Sequence, residues 1–443
     1  MIRRFLAILA TTTMLAVGLA TPAQAVPVEP AYTAINVNAA WSKNILGDGV
    51  TVAMIDQGVN LQHEYFEGQI IDGFCIYQNT NSALCPNGTK FQTGIEAASQ
   101  RRDSRGALIA EETHGNMVAG LVVGKPNSVA PGGVAPNAKL VMANTDMQPA
   151  SVVAALEYFY ANRVKYNIVA VSMSFGILGL TSRQDLLSCN TNPVYAQVRA
   201  SLKKLRDAGV IPFAAAGNSY YLNSIESWAP TCLNEAVSVG SVDDKGQIAI
   251  YNTMSTKVEL LAPDHALSAV TFGYQKASGT SAAAPMVAAS YALMRQQFPS
   301  HSAEVVLSAM KLAGKKLDDV IVKQIPMVDL AATQTLLTNT AVGTTPSTPT
   351  TPVTGQKVTV GTFNGYIAIY TQGFEGRRMS AKVAGQWLSV NPITLVPGKT
   401  YSLTRRNTGA GYDVRVEVWI DGVKQNLTVG GVLQGDVVVV RTR

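Results

Sequence analysis

The sequence predicts an α/β protein: a mostly parallel sheet with helices on both faces, followed by a small all-β domain. Three observations carry this. Short, continuously apolar runs such as Gly49-Val50-Thr51-Val52-Ala53-Met54-Ile55-Asp56 alternate with helical patterns as far as Leu337. Such runs suit strands buried on both faces. A Thr/Pro stretch, Gly343-Thr344-Thr345-Pro346-Ser347-Thr348-Pro349-Thr350-Thr351-Pro352, then reads as an extended linker. Beyond it come strand signals separated by turns.

The chain has 443 residues, 47% hydrophobic and 14% charged, enough to bury a sizeable core and to exclude global disorder. Residues 1–25 read as an export signal. Arg3 and Arg4 precede a largely apolar run from Phe5 to Ala20, and Ala23-Gln24-Ala25 is a small-x-small cleavage site. A membrane anchor is the alternative, but the run is short and no later stretch is long and apolar enough to span a bilayer. A secreted chain without a transmembrane anchor is expected. Its four cysteines, Cys75, Cys85, Cys189 and Cys232, then point to disulfides, with Cys75–Cys85 and Cys189–Cys232 the favoured pairing. Cysteine spacing and only 4 histidines give no metal-site pattern.

Taken in order, the first strand ends at Asp56, where Gly58 breaks it. In open α/β sheets that edge carries the sites. Residues 60–112 read as irregular, with the run Gln100-Arg101-Arg102-Asp103-Ser104-Arg105 preferred as a solvated loop, the alternatives being a trypsin-like nicking site or a rim touching substrate. His114 opens a helix rich in small residues. Strands follow at 139–143, 168–173, 210–216, 236–242 and 258–261, and helices at 151–165, 194–208, 285–298 and 303–313. The organisation is therefore a domain over 26–340, a linker over 341–356 and a β-rich domain over 357–443. In that last domain strands are expected at 358–360, 366–370, 401–404, 414–420 and 437–440, with Asp421-Gly422 as a hairpin turn, which suggests a small sandwich. Residues 356–443 hold 11 Lys/Arg against 5 Asp/Glu, a net of +6, whereas 26–355 hold 22 against 24, a net of −2.

The stretch Ala277-Ser278-Gly279-Thr280-Ser281-Ala282-Ala283-Ala284-Pro285 sets a serine among small residues just before a helix. A lone serine there reads first as an N-cap. Free N–H groups and the helix dipole also favour negative charge at that place. Acyl transfer by a serine needs a base, an acid to orient the base, and a donor for the oxyanion. His114, Asp56 and Asn218 can fill these roles, each at the end of an element. The chain order Asp, His, Ser differs from that of α/β-hydrolases and of chymotrypsin-like enzymes, and Gly279-Thr280-Ser281-Ala282-Ala283 lacks the second glycine of G-x-S-x-G.

The segments Val52-Ala53-Met54-Ile55-Asp56-Gln57-Gly58, His114-Gly115-Asn116-Met117-Val118-Ala119-Gly120, Ala215-Ala216-Gly217-Asn218 and Ser278-Gly279-Thr280-Ser281-Ala282-Ala283-Ala284-Pro285 resemble the subtilisin-like serine proteases (subtilases) over roughly residues 36–335. The resemblance implies a three-layer subtilisin-like domain and a secreted serine endopeptidase acting on polypeptides. It implies Asp56, His114 and Ser281 as the triad and Asn218 in the oxyanion hole. It also implies that Ser174-Phe175-Gly176 pairs with an extended substrate, by β-augmentation. The chain departs from the family at Gln57, Asn116, Met117 and Ala282, none of them a reacting group. Where many subtilisins bind calcium, His63-Glu64-Tyr65 replaces His-Pro-Asp, and the loop from Lys125 to Gly133 keeps Asn127 but no acid. No cofactor is required on this reading, and calcium is left open. The alternatives are a narrow-specificity processing protease, or a surface-binding protein without turnover. For the basic tail, with Arg377-Arg378 and Arg405-Arg406, the expectation is a spacer or attachment to an anionic cell surface; no specific nucleic acid is expected.

Overall fold

The computed structural model describes residues 29–78, 84–177, 189–219, 228–255, 257–319 and 324–344, then 357–374, 376–383, 386–387, 393–396, 399–406, 416–434 and 436–440. The expected export signal, the Thr/Pro stretch from residue 345 and most of the Ile177–Val194 segment lie outside these residues, as do the side chains of Arg405 and Arg406. Among the described residues no helix is long and apolar enough to cross a membrane. The chain divides into two compact units between Thr348 and Pro349.

The strands of the first unit are β1 (Thr51–Asp56), β2 (Ile70–Ile76), β3 (Phe91–Thr93), β4 (Lys139–Thr145), β5 (Ile168–Met173), β6 (Ile211–Ala215), β7 (Val237–Val242), β8 (Val258–Pro263), β9 (Leu267–Ala269), β10 (Tyr274–Lys276), β11 (Lys315–Leu317) and β12 (Ile325–Met327). Ten form one sheet in the order β11-β12-β8-β7-β6-β5-β1-β4-β2-β3, and β9 pairs with β10 apart from it. The interior pairings are parallel; β3 and β11 close the edges antiparallel.

The apolar runs are continuous because the sheet is covered on both faces. Along β1, Val52 and Met54 enter one core while Ala53 and Ile55 enter the other; β4 divides Leu140 and Met142 from Val141 and Ala143 in the same way. The first core holds the helices His114–Val123, Thr280–Gln297, Ala303–Ala313 and Leu330–Thr338. The second holds Pro149–Tyr166 and Ala196–Asp207. This is the three-layer α/β arrangement the sequence predicts.

Two expectations for this unit need correction. Residues 60–112 are not irregular throughout, since they contribute β2 and β3. The Asp72-Gly73 pair disguises β2 as a turn, but Tyr158 donates its hydroxyl to Asp72 at 2.6 Å and makes a carboxylate tolerable there. The central helix starts at Thr280, not at Pro285, so the proline lies inside it. Its residues from Ala282 to Met294 are all buried, as expected of a helix apolar all round. Both favoured disulfides are present, Cys75–Cys85 with Cα atoms 5.8 Å apart and Cys189–Cys232 at 6.1 Å.

The second unit comprises β13 (Lys357–Phe363), β14 (Tyr366–Gln372), β15 (Arg378–Val383), β16 (Gln386–Trp387), β17 (Ile393–Thr394), β18 (Lys399–Arg406), β19 (Glu417–Ile420), β20 (Val423–Lys424), β21 (Leu427–Val432) and β22 (Asp436–Val440). One sheet runs β21-β13-β14-β18-β22 and the other β16-β15-β19-β20, with β17 on β15. A shared core includes Val360, Ile369, Tyr401 and Val418. Asp421 and Gly422 have φ of 48° and 82°, the left-handed pair that a two-residue hairpin between β19 and β20 requires. Strands β15, β16, β17 and β21 lie outside the expected ranges. In β15 the buried alternation is Met379, Ala381 and Val383, of which the first two are weak strand formers.

Candidate active site

Asp56 ends β1, between β5 and β4 inside the sheet, and is fully buried and level with Asn144 of β4. Its Oδ1 accepts the Gln57 N–H at 2.8 Å. His114 is the first residue of its helix, and its Nδ1 lies 2.8 and 3.0 Å from the two Asp56 oxygens. A buried carboxylate there keeps the proton on Nδ1, so Nε2 presents its lone pair. Asp56 raises the His114 pKa above its ordinary value, and burial opposes this in part.

The turn that carries His114 is braced from below. Gly115 must be glycine, because a Cβ there would sit 2.0 Å from the Gly58 carbonyl oxygen. Buried Asn116 accepts the Asn60 N–H at 2.7 Å and donates to Gln100 Oε1 at 2.9 Å. Gln100 in turn donates to Thr271 Oγ1 at 3.0 Å, and Thr113 Oγ1 accepts the Thr271 N–H at 2.9 Å. The sequence reading gave Asn116 no role. An amide inside the small, apolar start of that helix was the available signal.

Ser281 is the second residue of the central helix, and the N-cap is Gly279. The cap reading of the serine is therefore replaced: its hydroxyl is free of capping and donates to the Ser174 carbonyl at 3.3 Å. Pro285 lies four residues on and has no N–H to give the Ser281 carbonyl. The Ser174 hydroxyl, just past β5, supplies that bond at 3.0 Å. Strand β5 pairs with β1, Met173 opposite Ile55, so Ser281 is tied to the sheet end that carries Asp56. Replacing Ser174 by alanine leaves the part-buried Ser281 carbonyl without its partner and should cost about 1 kcal/mol. If the serine is a nucleophile, turnover is expected to fall several-fold with KM unchanged. Steady-state kinetics beside thermal melts check this, and unaltered turnover would leave the bond without a functional part.

Asn218 follows β6 and Gly217. Its Oδ1 accepts both the N–H of Thr280, at 2.9 Å, and the Thr280 hydroxyl, at 3.0 Å. With the oxygen engaged twice, Nδ2 is left as a donor. Thr280 Oγ1 also accepts the Gly217 N–H at 3.0 Å, so one hydroxyl locks the loop to the helix start. Thr280 is a second residue the sequence reading passed over. Phe175 and Gly176 continue the chain past Ser174, half-buried and exposed.

The loop matching the family's calcium site is chemically turned away from a cation. Asn127 Oδ1 accepts the N–H groups of Val129 and Ala130 at 2.9 and 2.8 Å, and its Nδ2 donates to the Tyr274 hydroxyl at 2.5 Å. Tyr274 donates to Glu64 at 2.7 Å. Calcium takes six to eight oxygen ligands. Here one carboxylate shares the place with an amide N–H and a phenol, so these residues do not fit the ion.

A three-layer α/β domain that gathers a carboxylate, an imidazole and a helix-borne serine, in that chain order, has the layout of a subtilisin-like domain. The model of the subtilase family matches residues 47–360, and the chain belongs to this family. Among its relatives, the minor extracellular protease Epr of Bacillus subtilis is 26% identical over 277 residues, which cover 60% of this chain and 35% of that protein. A thermostable alkaline protease of Halalkalibacterium halodurans is 27% identical over 275 residues, 60% of this chain and 63% of the relative. The matched region thus spans about a third and somewhat under two thirds of these relatives. Among solved structures, a protease of Pseudoalteromonas arctica PAMC 21717 shares the fold with a TM-score of 0.54 and 22% identity, covering 68% of this chain and 94% of its own.

Proposed function

We propose that the chain is a secreted serine endopeptidase that hydrolyses polypeptides through Asp56, His114 and Ser281. The observation that carries the proposal is the His114 Nδ1 at 2.8 Å from the buried Asp56 carboxylate, at the same sheet end as Ser281. For attack, the Ser281 hydroxyl leaves the Ser174 carbonyl and turns to His114 Nε2, which takes its proton as the oxygen adds to the scissile carbonyl. The oxyanion accepts from Asn218 Nδ2 and from the Ser281 N–H, one of the donors a helix start leaves unpaired. His114 returns the proton to the leaving amine, and water repeats the sequence on the acyl-enzyme. Ser174-Phe175-Gly176 offers backbone to an extended substrate. Export rests on the signal at residues 1–25 and on relatives named as extracellular. The test is a fluorophosphonate probe with an unfolded protein substrate: labelling at Ser281 and cleavage are expected. A folded protein that does neither would overturn the proposal in favour of a binding protein.

The same reading needs no metal. A chelator is expected to leave the thermal midpoint and activity unchanged, while Tyr274→Phe lowers stability by about 1 kcal/mol. A fall in melting temperature with chelator, reversed by calcium, would contradict this. For the second unit, salt-sensitive attachment to an anionic surface rests on its net +6, from 11 Lys/Arg less 5 Asp/Glu. Arg377 is already paired with Asp421 and adds little to that charge.

A further inference from the structure

The start of the Ser281 helix is built from the softest residue in the chain. Gly279, its N-cap, has φ 88° and ψ 173°, and a Cβ at this position would lie 2.8 Å from Asn218 Nδ2. Glycine is required here, and glycine by itself fixes nothing. The peptide that must be held still lies two residues before Ser281, against the amide assigned to the oxyanion. What holds it comes from another part of the chain. The Gly279 N–H donates to the Tyr251 hydroxyl at 3.2 Å, and Tyr251 donates its own proton to Asp264 Oδ2. Asp264 is 8% exposed and sits just past β8; its Oδ1 also pairs with His265 Nδ1 at 2.7 Å. The carboxylate thereby sets the direction of the tyrosine hydroxyl, leaving its oxygen to face Gly279.

The segment that bears Tyr251 reaches the oxyanion loop as well. Two residues on, Thr253 donates its N–H to the Gly217 carbonyl at 2.9 Å, and its Oγ1 accepts the Ser219 N–H at 3.0 Å. Gly217 and Ser219 flank Asn218. One stretch, 251–253, therefore grips both the loop that offers Asn218 and the turn that delivers Ser281. We propose that Tyr251 is a positioning residue for the reaction: held by Asp264, it fixes the Gly279 peptide, and through it the register of Ser281 against Asn218. It touches neither substrate nor reacting atoms. This rests on the peptidase reading above.

The experiment uses the full chain and three proteins: wild type, Tyr251→Phe and Asp264→Asn. Loss of the phenol leaves the Gly279 N–H without its acceptor and the peptide free to turn toward water. Small misplacement of reacting groups is costly, so kcat should fall about 10-fold, with KM within about twofold and fluorophosphonate labelling of Ser281 slowed in parallel. Asp264→Asn keeps an acceptor for the phenol and should retain more turnover than Tyr251→Phe. A merely structural role would lower the melting temperature and leave kcat per folded molecule, measured by active-site titration, unchanged; that result overturns the proposal. If Tyr251→Phe does not fold, Asp264→Asn decides: kcat equal to wild type overturns the proposal, and a fall in kcat at constant KM supports it. If wild type itself is not labelled, the peptidase reading fails, an outcome distinct from equal labelling of wild type and variant.

Discussion

On the proposed mechanism, Ser281→Ala should lower turnover by about 10⁶, a magnitude carried over from the subtilisins. The size follows from what is removed. Without the Oγ, proton transfer to His114 has no object and no acyl-enzyme forms. The remaining polar groups still bind substrate and still offer donors to an oxyanion, so roughly 10³-fold acceleration over water should survive. The fold should be indifferent. The Ser281 hydroxyl is engaged with the Ser174 carbonyl at a long 3.3 Å, and the bond that anchors the helix start uses the Ser281 carbonyl, which alanine keeps. Equal melting curves with vanished hydrolysis and vanished fluorophosphonate labelling are therefore expected. Undiminished hydrolysis by the purified variant would mean that another group is the nucleophile.

How much of this is legible in the sequence depends on where each residue gets its position. Asp56, His114, Asn218 and Ser281 stand at the ends of elements, and element ends can be read from apolar runs and glycines. Their chemistry adds a second, independent filter. The two disulfides were legible for a similar reason: four cysteines allow only three pairings. The residues that hold the site together were not legible. Tyr251 reaches Gly279 and Thr253 reaches Gly217 through single hydrogen bonds across 28 and 36 positions of sequence, and Asp264 reaches Gly279 only through Tyr251. Nothing in local periodicity reports such a bond. Pro285 misled for a related reason. Read locally, a proline starts or stops a helix, yet here the one hydrogen bond it forfeits is replaced by the Ser174 hydroxyl. Strand β2 was hidden likewise, because the partner that excuses Asp72 lies on a helix 86 residues away.

Asp56→Asn tests the geometry rather than the nucleophile, and its expected loss is on the order of 10⁴ in turnover. With the Asp56 carboxylate against His114 Nδ1, the proton is favoured there and Nε2 is left as the proposed base. An asparagine can turn its own N–H₂ toward Nδ1, which drives the proton to Nε2, the wrong tautomer. Charge gives a second signature. The His114 pKa is raised, first by the Asp56 charge, against burial, which lowers it. Catalysis needs the neutral imidazole, so in the wild type activity climbs as pH rises through a pKa above the ordinary value of about 6.5. Stability runs the other way. A pKa raised in the folded state stabilises the fold fully below the unfolded value, and that contribution is lost as pH rises through the folded one. The pair is thus at its most stabilising in the acid range, where the proposed peptidase should be least active. Without the carboxylate, burial alone remains, and the acid limb of kcat/KM should move to lower pH while its plateau drops. A profile from about pH 5 to about pH 9 on both proteins checks this. An acid limb that stays in place in the variant would show that Asp56 does not set the charge state of His114.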